Sequence, residues 1–269
     1  MASIGFIGGG NMAEALIKGM ISAKLYKPKD VLIGDIKPER LQHLAKEYKV
    51  AAFSDNAQLA AKADTLIIST KPQNMTEALE SIKVALKKDV LIISIAAGKK
   101  IASISNILGN KPIIRVMPST PALIGEGISA LFANDKAQPM LEKAKSIFTA
   151  VGKVIILENE DLMDAVTAVS GSGPAYYFLF SEELIKAAIK LGLPENIARE
   201  LVLQTAKGAA LLAESADKKG QPLEQLRRNV TSPGGTTEAA LKVLEDGTFE
   251  QLIASALKKA CEKSRQLSA

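Results

Sequence analysis

The sequence predicts an α/β chain: a parallel, doubly wound sheet over residues 1–159, then an all-α part over residues 160–269. Three observations carry that expectation. Apolar, strand-like runs alternate with helical patterns up to about residue 157. A Gly-x-Gly-x-x-Ala turn stands between the first strand and the first helix. After Glu160 few β-branched runs remain, and helical periodicity takes over.

Ser3-Ile4-Gly5-Phe6-Ile7 reads as a short buried strand, followed by the turn Gly8-Gly9-Gly10. A helix then opens at Asn11-Met12-Ala13 and continues through Ala15, Leu16, Ile17, Met20 and Ile21 at helical spacing. Gly8 permits the tight turn, Gly10 lets a pyrophosphate touch the backbone, and the small Ala13 lets helix and strand pack closely. In this strand–turn–helix context the motif is a dinucleotide fingerprint, and the sheet is expected to be Rossmann-like. The second strand, 31–34, ends at Asp35, whose carboxylate suits the adenosine ribose hydroxyls and repels a 2′-phosphate. Lys37 and Arg40 follow. They fit a phosphate partner and a solvated first turn equally well, so NADH and NADPH both stay open.

Further strands are expected at 50–53, 65–69, 90–95 and 113–117, with helices near 11–24, 38–47, 56–62, 74–86 and 100–108. Segments 128–132 and 153–157 flank a helix at 136–149 and should extend the sheet edge. Three strand-end turns carry suggestive residues: Thr70-Lys71-Pro72-Gln73, Ala96-Ala97-Gly98 and Met117-Pro118-Ser119-Thr120-Pro121-Ala122. They share the sheet edge of the fingerprint, where doubly wound sheets bind ligands. Beyond 160, helices are expected near 161–169, 174–191, 195–217, 222–229, 236–246 and 249–267. Turn signals such as Gly171-Ser172-Gly173-Pro174 separate them.

Thr231-Ser232-Pro233-Gly234-Gly235-Thr236-Thr237-Glu238 opens one of these helices. Glycines admit a close ligand, and first-turn N–H groups can bind an anion. A plain helix start explains the same residues, with Thr236 or Thr237 as N-cap and Glu238 in the first turn.

Composition narrows the chemistry. Hydrophobic content of 47% and charged content of 23% are ordinary for a soluble globular chain. No apolar run is long enough to span a bilayer, so no membrane association is expected. The fingerprint strand starts at once, so no leader is expected. The lone Cys261 excludes an internal disulfide, and cytoplasm is the simplest location. The net charge of +5 comes from scattered lysines, and aromatics are only 4%, which argues against nucleic acid. No His, Cys and acid residues have metal-ligand spacing, so no metal is expected. The single histidine, His43, lies in a polar helix and reads as a surface residue. What remains is a reductase whose substrate needs little acid or base help. A protonated imine fits, because hydride transfer neutralises its charge and a positioned hydroxyl can suffice; a ketone would want His or Lys.

Over essentially its whole length the chain resembles the pyrroline-5-carboxylate reductase family. The resemblance lies in Phe6-Ile7-Gly8-Gly9-Gly10-Asn11-Met12, the Lys71-Pro72 loop, Ser94-Ile95-Ala96-Ala97-Gly98 and Arg115-Val116-Met117-Pro118-Ser119-Thr120-Pro121. Its more specific carriers are Ser170-Gly171-Ser172-Gly173-Pro174-Ala175-Tyr176 and the Thr231–Thr237 segment. Two positions depart from the family: Ser119, commonly Asn, and Asp35, where many members carry a small or polar residue suited to NADPH.

The resemblance implies reduction of L-1-pyrroline-5-carboxylate to L-proline by NADPH or NADH, the last step of proline biosynthesis. It implies a helical domain like that of 6-phosphogluconate dehydrogenases, interlocked in homodimers that assemble into decamers. Beside Ile7, Gly8, Gly9, Gly10, Asp35, Lys37 and Thr70, it brings Asn11, Met12, Asn56, Lys71, Pro72, Ala97 and Gly98 to the dinucleotide. Backbone N–H groups around Gly234, Gly235 and Thr236 would hold the pyrroline carboxylate. Thr237 would meet the ring nitrogen as the catalytic hydroxyl, with Ser172 and Pro174 shaping the pocket floor. A β-hydroxyacid dehydrogenase is a rival, but its lysine acid/base would fall at Tyr177, with no lysine until Lys186. A non-catalytic dinucleotide-sensing module would have no need of Thr231–Thr237.

Overall fold

The computed structural model describes residues 3–268. It divides into two compact units: one runs to Ser172 and includes Lys259 onward, and the other is Gly173–Lys258. The expected boundary near 160 marks where strands give way to helices; the compact units part after Ser172.

In the first unit, strands and helices alternate as β1 (Ile4–Ile7), α1 (Asn11–Ser22), β2 (Val31–Gly34), α2 (Pro38–Tyr48), β3 (Ala51–Phe53), α3 (Asn56–Lys62), β4 (Thr65–Ile68), α4 (Met75–Ile82), β5 (Leu91–Ser94) and α5 (Ile101–Leu108). Then come β6 (Ile113–Pro118), β7 (Gly127–Ala133), α6 (Leu141–Thr149) and β8 (Gly152–Ile156). The strands form one sheet in the order β3-β2-β1-β4-β5-β6-β7-β8. All neighbours are parallel except β6 and β7.

Strand periodicity explains the two covered faces. Ile4, Phe6, Ile33, Ile67 and Ile93 point to one face, where they pack with Leu16 and Met20 of α1, Leu44 of α2 and Phe148 of α6. Ile7, Leu32, Leu66, Ile68 and Ile92 point to the other, against Leu59 of α3, Leu79 of α4 and Ile104 of α5. The sheet is therefore doubly wound, as expected. Truncating a fully buried residue such as Leu16 or Phe148 should cost about 2–5 kcal/mol.

The helix expected at 136–149 is shorter. Pro139 lacks an N–H, and Asp135–Met140 forms a tight 3₁₀ turn capped by Asn134, with α6 starting at Leu141. The 74–86 pattern likewise resolves into α4 plus a 3₁₀ turn at Lys83–Ala85.

After β8, α7 (Met163–Val166) widens into a π turn at Thr167–Gly171, in which Ser172 N–H donates to Thr167 O at 2.8 Å. The second unit contains α8 (Gly173–Lys190), α9 (Glu195–Asp217), α10 (Leu223–Asn229) and α11 (Thr236–Leu244), and α12 (Thr248–Ser268) begins there. Its helices carry many exposed apolar side chains, among them Phe178, Leu179 and Phe180 of α8 and Leu211 and Leu212 of α9.

Candidate functional site

The β1–α1 turn is built for close approach. Gly8 has φ +102°, and a Cβ there would stand 2.9 Å from the Ser69 backbone after β4. Only glycine tolerates both conditions. Gly8 N–H donates to Gly34 O at 2.8 Å, and Ser69 Oγ donates to Gly8 O at 2.7 Å. These bonds tie the turn to both neighbouring strand ends. Gly10 caps α1 without a side-chain partner, and open space lies where its Cβ would be. The first-turn amides of a twelve-residue helix thus meet a cradle that a Cβ would fill, the arrangement that binds a pyrophosphate.

A cleft of about 820 Å³ runs along this sheet edge. It is lined by Ile7, Gly8, Gly9, Gly10, Asp35, Lys37, Asn56, Thr70 and Lys71, and also by Arg40, His43 and Ser81. Thr70 Oγ1 is buried without a hydrogen-bond partner. An orphaned hydroxyl in a cleft beside an uncapped helix fits a bound nucleotide.

Other expected residues stand elsewhere. Asn11 and Met12 open α1 outside the cleft lining, and the Met12 side chain packs on the core, leaving its backbone for a ligand. Pro72 starts the 3₁₀ turn Pro72–Asn74. Ala97 does not line the cleft either. Gly98 has φ +72° and meets α12, where a Cβ would sit 2.6 Å from Leu267 Cβ. That contact is a packing reason for the glycine.

Asp35 Oδ2 accepts Gly9 N–H at 2.6 Å, and Oδ1 accepts Lys37 N–H at 2.9 Å. Arg40 donates from Nε to Gly9 O and pairs with Glu14 of α1. His43 Nε2 lies 3.1 Å from Glu14 Oε1, and Tyr48 donates to the same oxygen at 3.0 Å. Burial pushes the Glu14 carboxyl up, but hydrogen bonds from Arg40, His43 and Tyr48 outweigh it and hold the group below its ordinary value. Burial and Glu14 together push the Tyr48 phenol up to about 12. His43 is half exposed, as a surface residue should be, yet it stands at the cleft rim. Helix α2 folds back along the glycine turn, so distance in sequence misleads there. Sequence reasoning does not single out Gly34, where a Cβ would strike Asn56 Oδ1 at 2.6 Å; a glycine directly before the acid expected at the ribose is the signal.

In the second unit, α11 begins at Thr236, and Gly235 occupies the cap position with no side-chain cap. Neither Thr236 nor Thr237 caps the helix, so both hydroxyls are left for other work. Of the amides expected to hold a carboxylate, Gly234 N–H already donates to Glu238 Oε2 at 2.8 Å. Gly235 N–H donates to Ser232 O at 3.0 Å. Thr236 and Thr237 N–H carry no hydrogen bond among the described residues. Ser172 ends the π turn, and Pro174 sits in the first turn of α8. Ser119 gives its hydroxyl to the fold, accepting Ile128 N–H at 2.9 Å.

No group of three or more His, Cys, Asp or Glu among the described residues is placed to hold a metal. No helix among them is long and apolar enough to cross a membrane.

Residues 160–267 match the model for pyrroline-5-carboxylate reductase dimerisation, and residues 3–98 match that for NADP oxidoreductase, coenzyme F420-dependent. The chain is 43% identical to the pyrroline-5-carboxylate reductase of Pseudomonas aeruginosa over 98% of its own length and 96% of that protein. A solved pyrroline-5-carboxylate reductase from Coxiella burnetii superposes with a TM-score of 0.91 at 39% identity, covering 100% of this chain and 99% of that one. The Plasmodium falciparum pyrroline carboxylate reductase, solved with NADP bound, gives 0.89 at 34% identity, covering 100% and 98%.

Proposed function

This chain belongs to the pyrroline-5-carboxylate reductase family, and on that premise we propose that it reduces L-1-pyrroline-5-carboxylate to L-proline with NAD(P)H, closing proline biosynthesis. The observation that carries the reading is 43% identity to the Pseudomonas aeruginosa enzyme over 98% of the chain.

When bound, the reduced nicotinamide supplies a hydride to the C=N carbon. The chain's own residues bind and orient. Gly8–Gly10 and the uncapped amides of Asn11 and Met12 take the pyrophosphate. Asp35 and Lys37 stand at the adenosine ribose, while Asn56, Thr70, Lys71, Pro72, Ala97 and Gly98 serve the rest of the nucleotide. The first-turn amides of α11 at Thr236 and Thr237, which follow Gly234 and Gly235, take the substrate carboxylate. The Thr237 hydroxyl orients the ring nitrogen or gives it a proton. Ser172 and Pro174 shape the floor beneath the ring. Hydride addition cancels the charge of a protonated imine, so no histidine or lysine acid is required. Tyr177, where a hydroxyacid dehydrogenase would need its lysine, leaves that rival without an acid/base.

The dimerisation match over 160–267 and the exposed apolar residues of α8 and α9 support a homodimer, which we extend to a decamer. Sedimentation velocity on the whole chain measures this. A cytoplasmic location accords with a lone cysteine and with the bacterial relatives. The reaction is tested by mixing purified protein, pyrroline-5-carboxylate and either nucleotide, then following nicotinamide absorbance. No turnover with either nucleotide overturns the reading.

A further inference from the structure

We propose that this chain favours NADH over NADPH, because Asp35 occupies the place of a 2′-phosphate and Glu14 holds Arg40 away from it. The inference rests on the nucleotide reading above. Asp35 ends β2 with both carboxylate oxygens anchored, one on Gly9 N–H at 2.6 Å and one on Lys37 N–H at 2.9 Å. Each oxygen still has a lone pair for a ribose hydroxyl. A 2′-phosphate would instead bring a second anion against a fixed one.

Compensating donors are engaged or missing at Lys37, Pro38 and Arg40. Lys37 N–H is used by Asp35 itself, Pro38 has no N–H, and Arg40 N–H donates to Lys37 O at 3.0 Å. The Arg40 guanidinium reaches Gly9 O, Gly10 O at 3.5 Å and the Glu14 carboxylate. Glu14 also takes Tyr48 and His43, so it is anchored from three sides. The Lys37 amine is exposed, and a solvated lysine contributes little. Both nucleotides can serve as donors; the balance between them is what this turn sets.

The test measures dissociation constants by calorimetry on the full chain. It uses NADH, NADPH and the redox-inert pair ADP-ribose and 2′-phospho-ADP-ribose, so that binding is read apart from turnover. The unphosphorylated member of each pair should bind at least about tenfold more tightly. Asp35→Ser should move that ratio at least about tenfold toward the phosphorylated member. Glu14→Ala should move it the same way by releasing Arg40. Equal or tighter binding of the 2′-phosphorylated ligands by the unmodified chain overturns the inference, whether or not the variants fold. Binding of neither nucleotide would sink the functional reading instead.

Discussion

Ser264 donates a 2.6 Å hydrogen bond to Asp164 Oδ1 across 100 positions of sequence, and both residues are buried. Asp164 also lies 3.9 Å from Arg115, which pairs with Glu160 at 3.0 Å. Glu160 in turn accepts Ile101 N–H at 2.9 Å. One buried cluster therefore fastens the end of α12 to α7, β6 and the start of α5. Ser264→Ala should cost about 1–3 kcal/mol, because it removes a donor from a buried carboxylate. Arg115→Met should cost more, about 3–5 kcal/mol, since it leaves carboxylates without their cation. Urea unfolding of both variants checks the ranking; equal losses would mean that Arg115 is not the centre of the cluster.

Gly8→Ala should damage nucleotide binding and stability together. The backbone would hold alanine at φ +102° and press its Cβ against Ser69. Strain of this kind costs about 1–3 kcal/mol. Relief by shifting the turn would move the Gly8–Gly10 amides, so NADH affinity should fall at least about tenfold. Calorimetry and thermal unfolding on one preparation separate the two losses. An unchanged affinity would remove the turn from the nucleotide site.

Much of this architecture is legible because strand and helix periods are local. Ile4 and Phe6 against Ile7, or Ile67 against Leu66 and Ile68, write the two sheet faces directly into the sequence. The Gly8–Ala13 turn is equally local. What was not legible depends on long-range return of the chain. His43 and Arg40 reach the cleft because α2 lies back along α1, where Glu14 collects them. Gly98 owes its packing contact to α12, which lies far along the chain. Pro139 shortens the helix expected at 136–149, since a proline inside a helical pattern removes an N–H that the helix needs.

Acid should weaken the fold through Asp64. The Lys87 ammonium at 2.7 Å, followed by Ser3 N–H at 2.8 Å, holds this carboxyl below its ordinary value. A depressed folded value means that the group stabilises the fold above its unfolded value of about 3.9. That contribution is lost as pH falls through the folded value. The urea midpoint should therefore drop below about pH 4, and Asp64→Asn should flatten that part of the curve. The pair is part exposed, so salt should reduce the effect. Identical acid limbs for both proteins would exclude Asp64 as a contributor.

Thr237 carries the sharpest prediction, because its competing role has gone. Gly235 occupies the cap position of α11 and no side chain caps it, so removing the Thr237 hydroxyl takes no capping bond from the helix. Thr237→Ala should then unfold at nearly the same temperature as the unmodified chain. If the hydroxyl meets the ring nitrogen in the transition state, kcat should fall roughly 10²–10³-fold. Nucleotide affinity should stay within about twofold, since the role proposed for Thr237 is at the substrate and not at the cofactor. Thr237→Ser keeps the hydroxyl and should recover most of the lost rate. A variant with normal kcat would leave Thr237 only its backbone amide, and the proton would then have to come from water.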